Sequence, residues 1–475
     1  MTADEKLQAM ERLLRKHSQD HLLAFWADLN LDERNGLLAQ LNALDWPKID
    51  AWVAKYVKKT ASGGIPHGLT PPEFYPAEPS DARQRAKYTK ALKLGKKLIS
   101  AGKVAAFVVA GGQGTRLGFL GPKGDLPISP VKNKMLFRLF AETIAAVSVR
   151  YRATCPWYVM TSPMNHDDTV ETFRENDCYG LDSDNIFLFQ QGTLPNFGFD
   201  GRILLAEKGE IAASPDGHGG SLKALYDSGA VEDMKRRGIE YISYWQVDNP
   251  LINIFDPLFI GLHALDGAEM SSKTVIKTGP FEKVGNFCIA DGKLTVIEYS
   301  DLPDELAQKK NADDSLVFQL GSIAIHIIST TFVERLNARG FSLPIHRAIK
   351  KIPYIDSKGR LIEPDKPNGV KLETFVFDAL PLAANSIILE TIRKEEFAPT
   401  KNATGIDSIE TTRQMMIDRA ADWLESAGVE IPRKTDGSPD CIVEIAPSFA
   451  VYKEDVAEKL DQIPRIRPGD GIYLA

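Results

Sequence analysis

Short apolar runs that alternate with helical patterns limit the middle of this chain to one broad class of fold. Helical periodicity lies between several of these runs, for example over residues 134–149 and 221–237. Continuous apolar runs are typical of parallel strands that are buried on both faces. Strands that alternate with helices predict a doubly wound α/β domain whose sheet is mixed but mostly parallel. The apolar runs cover residues 104–110, 157–161, 186–190, 241–247 and 273–277.

The segments on either side of this region follow other patterns. Apolar residues recur at helical spacing before residue 45, and the proline-rich stretch 64–79 then predicts a connector without regular structure. A further helix is expected from Asp81 to about Ser100. Near the end, residues 411–425 predict a helix and residues 441–445 a short strand. We therefore predict an N-terminal helical region over 1–98, a central Rossmann-like domain over 99–395 and a small C-terminal α+β domain over 396–475.

Composition excludes several classes of protein. Hydrophobic residues make up 43% and charged residues 25% of the 475, as is typical of globular chains. The net charge of -7 argues against a nucleic-acid binder, although a few local cations are enough to bind a small anion. Four widely spaced cysteines predict neither a zinc site nor disulfides, and neither a secretory leader nor a membrane span is expected. We expect a cytoplasmic protein without a nucleic-acid or membrane partner; no protein partner can be inferred.

The first apolar run leads directly into a glycine-rich turn. The turn reads Ala110-Gly-Gly-Gln-Gly-Thr-Arg-Leu-Gly118 and is followed by Pro122-Lys-Gly124. Glycines let backbone N–H groups approach a phosphate without interference from a side chain. A dinucleotide fingerprint would need glycine at Leu117, and a P-loop would need a serine or threonine directly after Lys123. Neither template fits, so what remains is a glycine turn with two embedded cations, Arg116 and Lys123.

These two motifs resemble the signature of the UDPGP-type sugar-nucleotide pyrophosphorylase family, in particular the eukaryotic-type UDP-N-acetylglucosamine (UDP-N-acetylhexosamine) pyrophosphorylases. Further motifs of that family follow in its order over nearly 300 residues. They include Phe189-Gln-Gln-Gly192, Pro215-Asp-Gly217, Val247-Asp-Asn249, Glu298-Tyr-Ser300, Phe375-Val-Phe-Asp378 and Pro399-Thr-Lys-Asn-Ala403. The resemblance implies that the central domain is a nucleotidyltransferase.

The resemblance also implies a reaction and a set of site residues. UTP and a hexose 1-phosphate would give a UDP-sugar and pyrophosphate, with Mg²⁺ as cofactor or Mn²⁺ in its place. The phosphate nucleophile is already ionised near pH 7, because its second pKa is about 6, so cations rather than a general base are needed. Arg116, Lys123 and Lys401 would be catalytic, and Asp248 would bind the metal. The nucleotide would contact Ala110, Gly111, Gly112, Gln191 and Gly217; the sugar would contact His218, Gly285, Glu298 and Ser322.

Two residues on the sugar side depart from the family pattern. His218 stands where the family usually has asparagine, and Ser322 replaces another asparagine. Because unpaired polar groups discriminate strongly between substrates, several sugars stay open at this point. N-acetylglucosamine leads, with N-acetylgalactosamine, glucose and galactose as alternatives, so a UTP–glucose-1-phosphate uridylyltransferase or a broad UDP-sugar pyrophosphorylase is the second interpretation. An NAD-linked oxidoreductase and a non-catalytic UDP-sugar sensor are alternatives from other classes.

Overall fold

The computed structural model describes residues 3–58, 68–338 and 340–475. None of the helices in these ranges is both long and apolar enough to cross a membrane. The helices are α1 Ala3–Lys16, α2 Leu31–Ala43, α3 Trp46–Trp52, α4 Ala82–Ser100, α5 Leu136–Tyr151, α6 His166–Glu175, α7 Gly220–Asp227, α8 Ala230–Arg237, α9 Pro257–Leu265, α10 Asp304–Ala307, α11 Thr330–Ala338, α12 Arg393–Glu396 and α13 Ile409–Ser426.

The strands vary from two to ten residues in length. They are β1 Val104–Val109, β2 Trp157–Thr161, β3 Ile186–Gln190, β4 Thr193–Pro195, β5 Phe197–Gly198, β6 Leu205–Glu207, β7 Glu210–Ile211, β8 Ala213–Pro215, β9 Tyr241–Gln246, β10 Met270–Ile276, β11 Gly285–Ala290, β12 Lys293–Ile297, β13 Leu320–Ser329, β14 His346–Lys350, β15 Tyr354–Ile355, β16 Leu361–Ile362, β17 Gly369–Glu373, β18 Ile388–Glu390, β19 Ile442–Ile445 and β20 Gly471–Leu474.

Nine of the strands in the described part of the chain form one central mixed sheet. Its order is β12-β11-β13-β9-β1-β2-β3, with β10 paired to β13 and β18 paired to β10. Strand β1 lies between β2 and β9 and is parallel to both, and β3 continues the parallel part. Strand β13 is antiparallel to its neighbours, so the far side of the sheet is mixed. Helices connect the strands of the parallel part, and the predicted α/β class is confirmed.

The internal contacts divide the chain into two compact units. The described residues of unit 1 come from 3–58, 192–220 and 343–375, and those of unit 2 from 68–191, 221–342 and 376–475. In unit 1 the N-terminal helices share one apolar core with strands β5, β6, β7 and β17. In unit 2 the core surrounds the central sheet, and α13 with β19 and β20 forms a smaller cluster. These two units do not coincide with the three segments predicted from the sequence. Whether those segments act as separate functional domains stays a prediction.

The bounds of the parallel strands were predicted more accurately than the bounds of helices that adjoin glycines. Strands β2 and β3 have the predicted bounds, and α4 runs to Ser100 as expected. The helical pattern over 221–237 forms two helices, α7 and α8, because Gly229 has a φ of 80° and separates them. The apolar pattern over 22–29 forms two short 3₁₀ turns instead of a helix. Residues 64–67 of the predicted connector lie outside the described residues.

Two glycines let α4 and α9 pack backbone against backbone. A Cβ atom on Gly95 would overlap the carbonyl oxygen of Pro257, and one on Gly261 would overlap the carbonyl oxygen of Ala91. Both glycines are buried. The start of α9 is fixed by Asp256, whose carboxylate accepts hydrogen bonds from the first turn of the helix. The helix pair therefore has no room for an added methyl group.

We predict that Gly261→Ala lowers the free energy of unfolding by at least about 2 kcal/mol, because the new Cβ forces the two helix backbones apart. Urea denaturation followed by circular dichroism measures the change. The matched control is Gly36→Ala in α2, where the position is exposed and a Cβ atom would meet nothing within 4 Å. This control should gain about 0.5–1 kcal/mol from helix propensity. Unchanged stability of Gly261→Ala would contradict the packing described above.

Candidate functional site

The glycine-rich turn begins at the carboxyl end of β1 and returns to it. The backbone N–H of Ala110 donates to the carbonyl of Met160, which extends the β1–β2 pairing by one residue. The N–H of Lys123 then donates to the carbonyl of Gly112 at 3.1 Å, and that of Gly114 donates to Gly121 at 3.0 Å. These bonds close the turn into a compact loop. Lys123 is thereby carried back to the edge of the sheet where β1 ends.

Asn165 holds this loop in place through side-chain hydrogen bonds to its backbone. Its side-chain amide donates to the carbonyls of Ala110 at 2.9 Å and Gly112 at 3.2 Å, and its own oxygen accepts from the backbone N–H of Ser162. The side chain is buried, with 1% of the residue exposed. We did not predict this residue from the sequence. Its only signal is an asparagine just after a strand, where short polar side chains commonly bond to the backbone.

Gln191 lies directly against the first glycine of the turn. Its backbone N–H donates to the carbonyl of Thr161, so it follows β3 at the same edge of the sheet. A Cβ atom on Gly111 would lie 2.5 Å from the side-chain oxygen of Gln191 and 3.3 Å from the Cβ of Ser162. Glycine is therefore required at position 111 for steric reasons. The two residues predicted to contact the nucleotide are neighbours in the structure, although their role stays a prediction.

The predicted catalytic lysine and the predicted metal ligand also meet at this edge. The Lys123 Nζ lies 3.7 Å from the Asp248 carboxylate, and their side chains are 15% and 12% exposed. Asp248 follows β9, which pairs with β1 along its whole length. Arg116 is exposed on the 3₁₀ turn Thr115–Leu117 and makes no side-chain hydrogen bond or ion pair within the described part of the chain. One cation is held at the edge, and the other is presented to solvent.

Lys401 is tied to the same strand end through the backbone. The N–H of Thr400 donates to the carbonyl of Asp248 at 2.9 Å. Buried Asn249 adds two bonds, because its amide donates to the carbonyl of Glu396 and its oxygen accepts from the N–H of Ala398. The segment before Lys401 is therefore fixed to the residues that follow β9. The Lys401 side chain itself is exposed.

Asp407 is a charged neighbour of this group that we did not predict. Its carbonyl accepts from the N–H groups of Lys401 at 2.7 Å and Asn402 at 3.0 Å, and its φ of 57° is left-handed. Burial raises the pKa of the Asp407 carboxyl; nearby Lys401 opposes that rise and Asp248 adds to it. The loop from 401 to 407 thus brings a carboxylate into the electrostatic range of both predicted site residues. Tertiary structure brings Asp407 and Asp248 together, so this neighbour could not be predicted from the spacing of residues along the chain.

The predicted sugar-binding residues fall into two groups. In unit 2, Gly285 pairs with Ser322 across β11 and β13. A Cβ atom on Gly285 would lie 3.6 Å from the Ser322 Cβ and 3.7 Å from a Glu298 carboxylate oxygen. These three residues are therefore contiguous. Gly217 and His218 belong to unit 1, where the loop from 216 to 220 packs on residues 374 and 375.

Comparison with known proteins identifies relatives over the whole length of the chain. The family model described as UTP–glucose-1-phosphate uridylyltransferase matches residues 73–474. The UDP-N-acetylhexosamine pyrophosphorylase-like protein 1 of Homo sapiens is 38% identical, over 93% of this chain and 92% of that protein. The UDP-N-acetylglucosamine pyrophosphorylase of Saccharomyces cerevisiae is 33% identical, over 94% and 96%. The crystal structure of the Trypanosoma brucei uridine diphosphate N-acetylglucosamine pyrophosphorylase with an inhibitor has a TM-score of 0.80 at 26% identity, covering 100% and 99%.

Asp125, two residues after Lys123, yields a prediction about pH. One of its carboxylate oxygens accepts from the Thr172 hydroxyl, and the other is buried without a hydrogen-bond partner among the residues that the structure describes. Burial raises the pKa of Asp125 to about 6, from 3.8. The folded state thus binds this proton more tightly than the unfolded state, so Asp125 lowers stability as the pH rises from about 4 to above 6.

We predict that Asp125→Asn, which stays neutral, is more stable than the original protein at pH 7.5. Its advantage should grow by about 1 kcal/mol between pH 5 and pH 7.5, after allowance for partial solvent screening. Urea denaturation at the two pH values measures this difference. Asp461→Asn at an exposed position is the control and should show no such growth. An equal advantage of Asp125→Asn at both pH values would refute the assignment.

Proposed function

The chain belongs to the UTP–glucose-1-phosphate uridylyltransferase family, and we propose that it makes UDP-N-acetylglucosamine and pyrophosphate from UTP and N-acetylglucosamine 1-phosphate. It is a UTP-dependent nucleotidyltransferase. The observation that carries the proposal is the pair Lys123 and Asp248, 3.7 Å apart, beside a glycine turn at the carboxyl edge of the sheet. In open α/β sheets this edge is where ligands bind. We also propose a cytoplasmic location.

The proposed reaction is an in-line displacement in which positioning and charge neutralisation supply the catalysis. An oxygen of the sugar phosphate attacks the α-phosphorus of UTP, the bond from that phosphorus to the bridging oxygen breaks, and pyrophosphate leaves. Lys123, Arg116 and Lys401 would offset the negative charges of the two substrates and of the departing group. Arg116 and Lys401 are exposed, so they are accessible to a polyphosphate. Gln191 can both donate to and accept from the edge of uracil.

The residues at this edge suit Mg²⁺, which we propose as the cofactor with Mn²⁺ as a substitute. Mg²⁺ usually takes one or two protein carboxylates together with water and phosphate oxygens. Asp248 supplies one such carboxylate, and the described residues contain no group of three or more His, Cys, Asp or Glu side chains that would form an all-protein metal site. When bound, the ion would neutralise charge on the phosphates. Asp248 would hold it, and Lys123 would keep that carboxylate oriented.

The proposal is tested by a pyrophosphate-release assay with UTP and a panel of hexose 1-phosphates. We expect N-acetylglucosamine 1-phosphate to give the highest kcat/KM, and other nucleoside triphosphates to be poor substrates. Glucose 1-phosphate as the best substrate would favour the second interpretation, for which His218 and Ser322 are the sequence observations. If none of the sugar phosphates supports pyrophosphate release, the activity is refuted and the non-catalytic sensor remains. The oxidoreductase interpretation would instead require a change in the absorbance of added NAD.

We predict that Lys123→Ala lowers kcat for pyrophosphate release by at least about 100-fold, because the developing charge loses one of the proposed stabilising cations. The fold should stay intact, which circular dichroism verifies, since the lysine side chain is not part of the apolar core. Lys97→Ala, on the exposed face of α4, is the matched control and should keep full activity. Turnover of Lys123→Ala at the rate of the original protein would remove Lys123 from the mechanism.

A second prediction concerns the choice of sugar. His218→Asn should raise the use of N-acetylglucosamine 1-phosphate relative to glucose 1-phosphate several-fold, because asparagine can pair with an acetamido group. Competition between the two sugar phosphates, with the two UDP-sugars quantified, gives the ratio directly. The same ratio in both proteins would exclude a role for His218 in selectivity.

A further inference from the structure

One ion pair joins the loop after β10 to the short helix that precedes Lys401. The Nη2 of Arg393 lies 2.7 Å from the Oε1 of Glu282, and the two side chains are 30% and 16% exposed. The same nitrogen donates to the carbonyl of Ile276, the last residue of β10, at 3.4 Å. In a partly buried pair, removal of one partner leaves the other charge uncompensated. The contact therefore holds Arg393 against the end of β10.

The Glu282 carboxylate acts on both sides of this contact. Its second oxygen accepts from the backbone N–H of Thr278 at 2.7 Å and from the Thr278 hydroxyl at 3.1 Å. The carbonyl of Glu282 also accepts from the N–H of Val284 at 2.8 Å. These bonds close the 278–284 loop, which leads directly into Gly285 of β11. One carboxylate oxygen thus shapes the loop, and the other ties it to the guanidinium.

On the other side of the pair, the backbone from Arg393 to Lys401 is fixed at several points. The N–H of Phe397 donates to the carbonyl of Arg393 at 2.8 Å, and the Phe397 ring is buried in the core of unit 2. The Arg393 guanidinium lies 5.4 Å and the Lys401 Nζ 6.0 Å from the centroid of this ring. At these distances an aromatic face attracts a cation. Asn249 and Asp248 accept hydrogen bonds from the backbone that follows the ring.

Both charges of the pair act on the carboxylate of Asp407. Burial raises the pKa of the Asp407 carboxyl, and Lys401 opposes that rise. Arg393 opposes it as well, whereas Asp248 and Glu282 add to it. The pair is therefore within electrostatic range of the same carboxylate as the predicted catalytic lysine and the predicted metal ligand. All of these residues belong to unit 2.

We propose that Arg393 is a positioning residue for the sugar 1-phosphate: it holds the 278–284 loop, and with it Gly285, in a fixed position relative to Lys401. This inference rests on the proposed function, in which Gly285 contacts the sugar and Lys401 the phosphates. A misplacement of about 1 Å can lower the rate of such a reaction about 100-fold. Without Arg393, the Glu282 carboxylate loses its cation and the loop loses its connection to α12.

The test measures KM separately for N-acetylglucosamine 1-phosphate and for UTP in the pyrophosphate-release assay. We expect Arg393→Ala to raise the KM for the sugar phosphate about 5- to 20-fold, while the KM for UTP changes less than about twofold. Arg393→Lys should recover most of this loss, because the pair uses a single nitrogen of the guanidinium. Equal increases in both KM values would indicate a general structural role and overturn the proposal. Unchanged values would overturn it too, and so would an Arg393→Lys variant that behaves like Arg393→Ala.

Arg150→Ala is the matched control. Arg150 pairs with Asp455 at 2.6 Å, the two side chains are 33% and 5% exposed, and the guanidinium lies 5.1 Å from the centroid of the Tyr452 ring. It belongs to the last turn of α5, which leads into the start of β2 and so lies away from the carboxyl edge of the sheet. Loss of this similar pair should leave both KM values unchanged. The same selective rise in Arg150→Ala would overturn the proposal.

A double variant tests whether Arg393 acts through Glu282. In the Glu282→Ala background, Arg393→Ala should raise the KM for the sugar phosphate less than about twofold further, because the connection is already lost. Effects of the two substitutions that multiply would mean that the side chains act independently. That result would overturn the proposal.

Hydrogen exchange of the free protein separates this inference from the proposed function. The N–H groups of Thr278 and Val284 are bonded within the 278–284 loop, so Arg393→Ala should speed deuterium uptake in the peptide that spans it. Arg150→Ala should leave that uptake unchanged. Unchanged uptake in Arg393→Ala would refute the coupling and leave the proposed function in place. Faster uptake in a protein that uses no sugar phosphate would uphold the coupling and refute the proposed function instead.

Discussion

The parallel pairing of β1 with β2 and β9 is the constraint on which the rest of the site depends. Val109 lies opposite Met160 on one side and Gln246 on the other, and Thr161 lies opposite Gln190. All four strands therefore end at the same level of the sheet. Strands β1 and β2 are almost wholly buried, so polar side chains are placed in the loops that follow them. The loops that begin there must gather their polar groups at one edge.

Buried polar groups then fix those loops to one another. Lys273 is 2% exposed and bonds to Asp256 at 2.6 Å and to Glu396 at 2.5 Å. Asp256 also caps α9, and the carbonyl of Glu396 accepts from Asn249 beside the site. Buried ion pairs contribute little net stability, because desolvation offsets their attraction, but a missing partner is costly. This cluster therefore favours one arrangement of the segment that leads to Lys401.

The sequence predicted the part of the site that follows from strand ends. An apolar run indicates a buried strand, and parallel strands share an edge, so Asp248 was expected there, whereas Lys123 was named from the resemblance of its motif to the family signature. Asn165 and Asp407 escaped prediction because each acts on a site residue that is distant in the sequence, Asn165 on Ala110 and Asp407 on Asp248. The shared core of the N-terminal helices and residues 192–220 escaped for the same reason, since an apolar face does not reveal what covers it. Gly229 ended a helix at a position where periodicity alone predicted continuation.

The chemistry that best suits this edge is direct attack of one phosphate on another, without a protein nucleophile. The stereochemistry at the α-phosphorus tests that claim most directly, with UTP that carries sulfur in one defined configuration at that position. A single in-line displacement predicts inversion of configuration in the UDP-sugar. Retention would mean two displacements through a covalent nucleotidyl-enzyme, and it would contradict the account of a site built from cations at the ends of parallel strands.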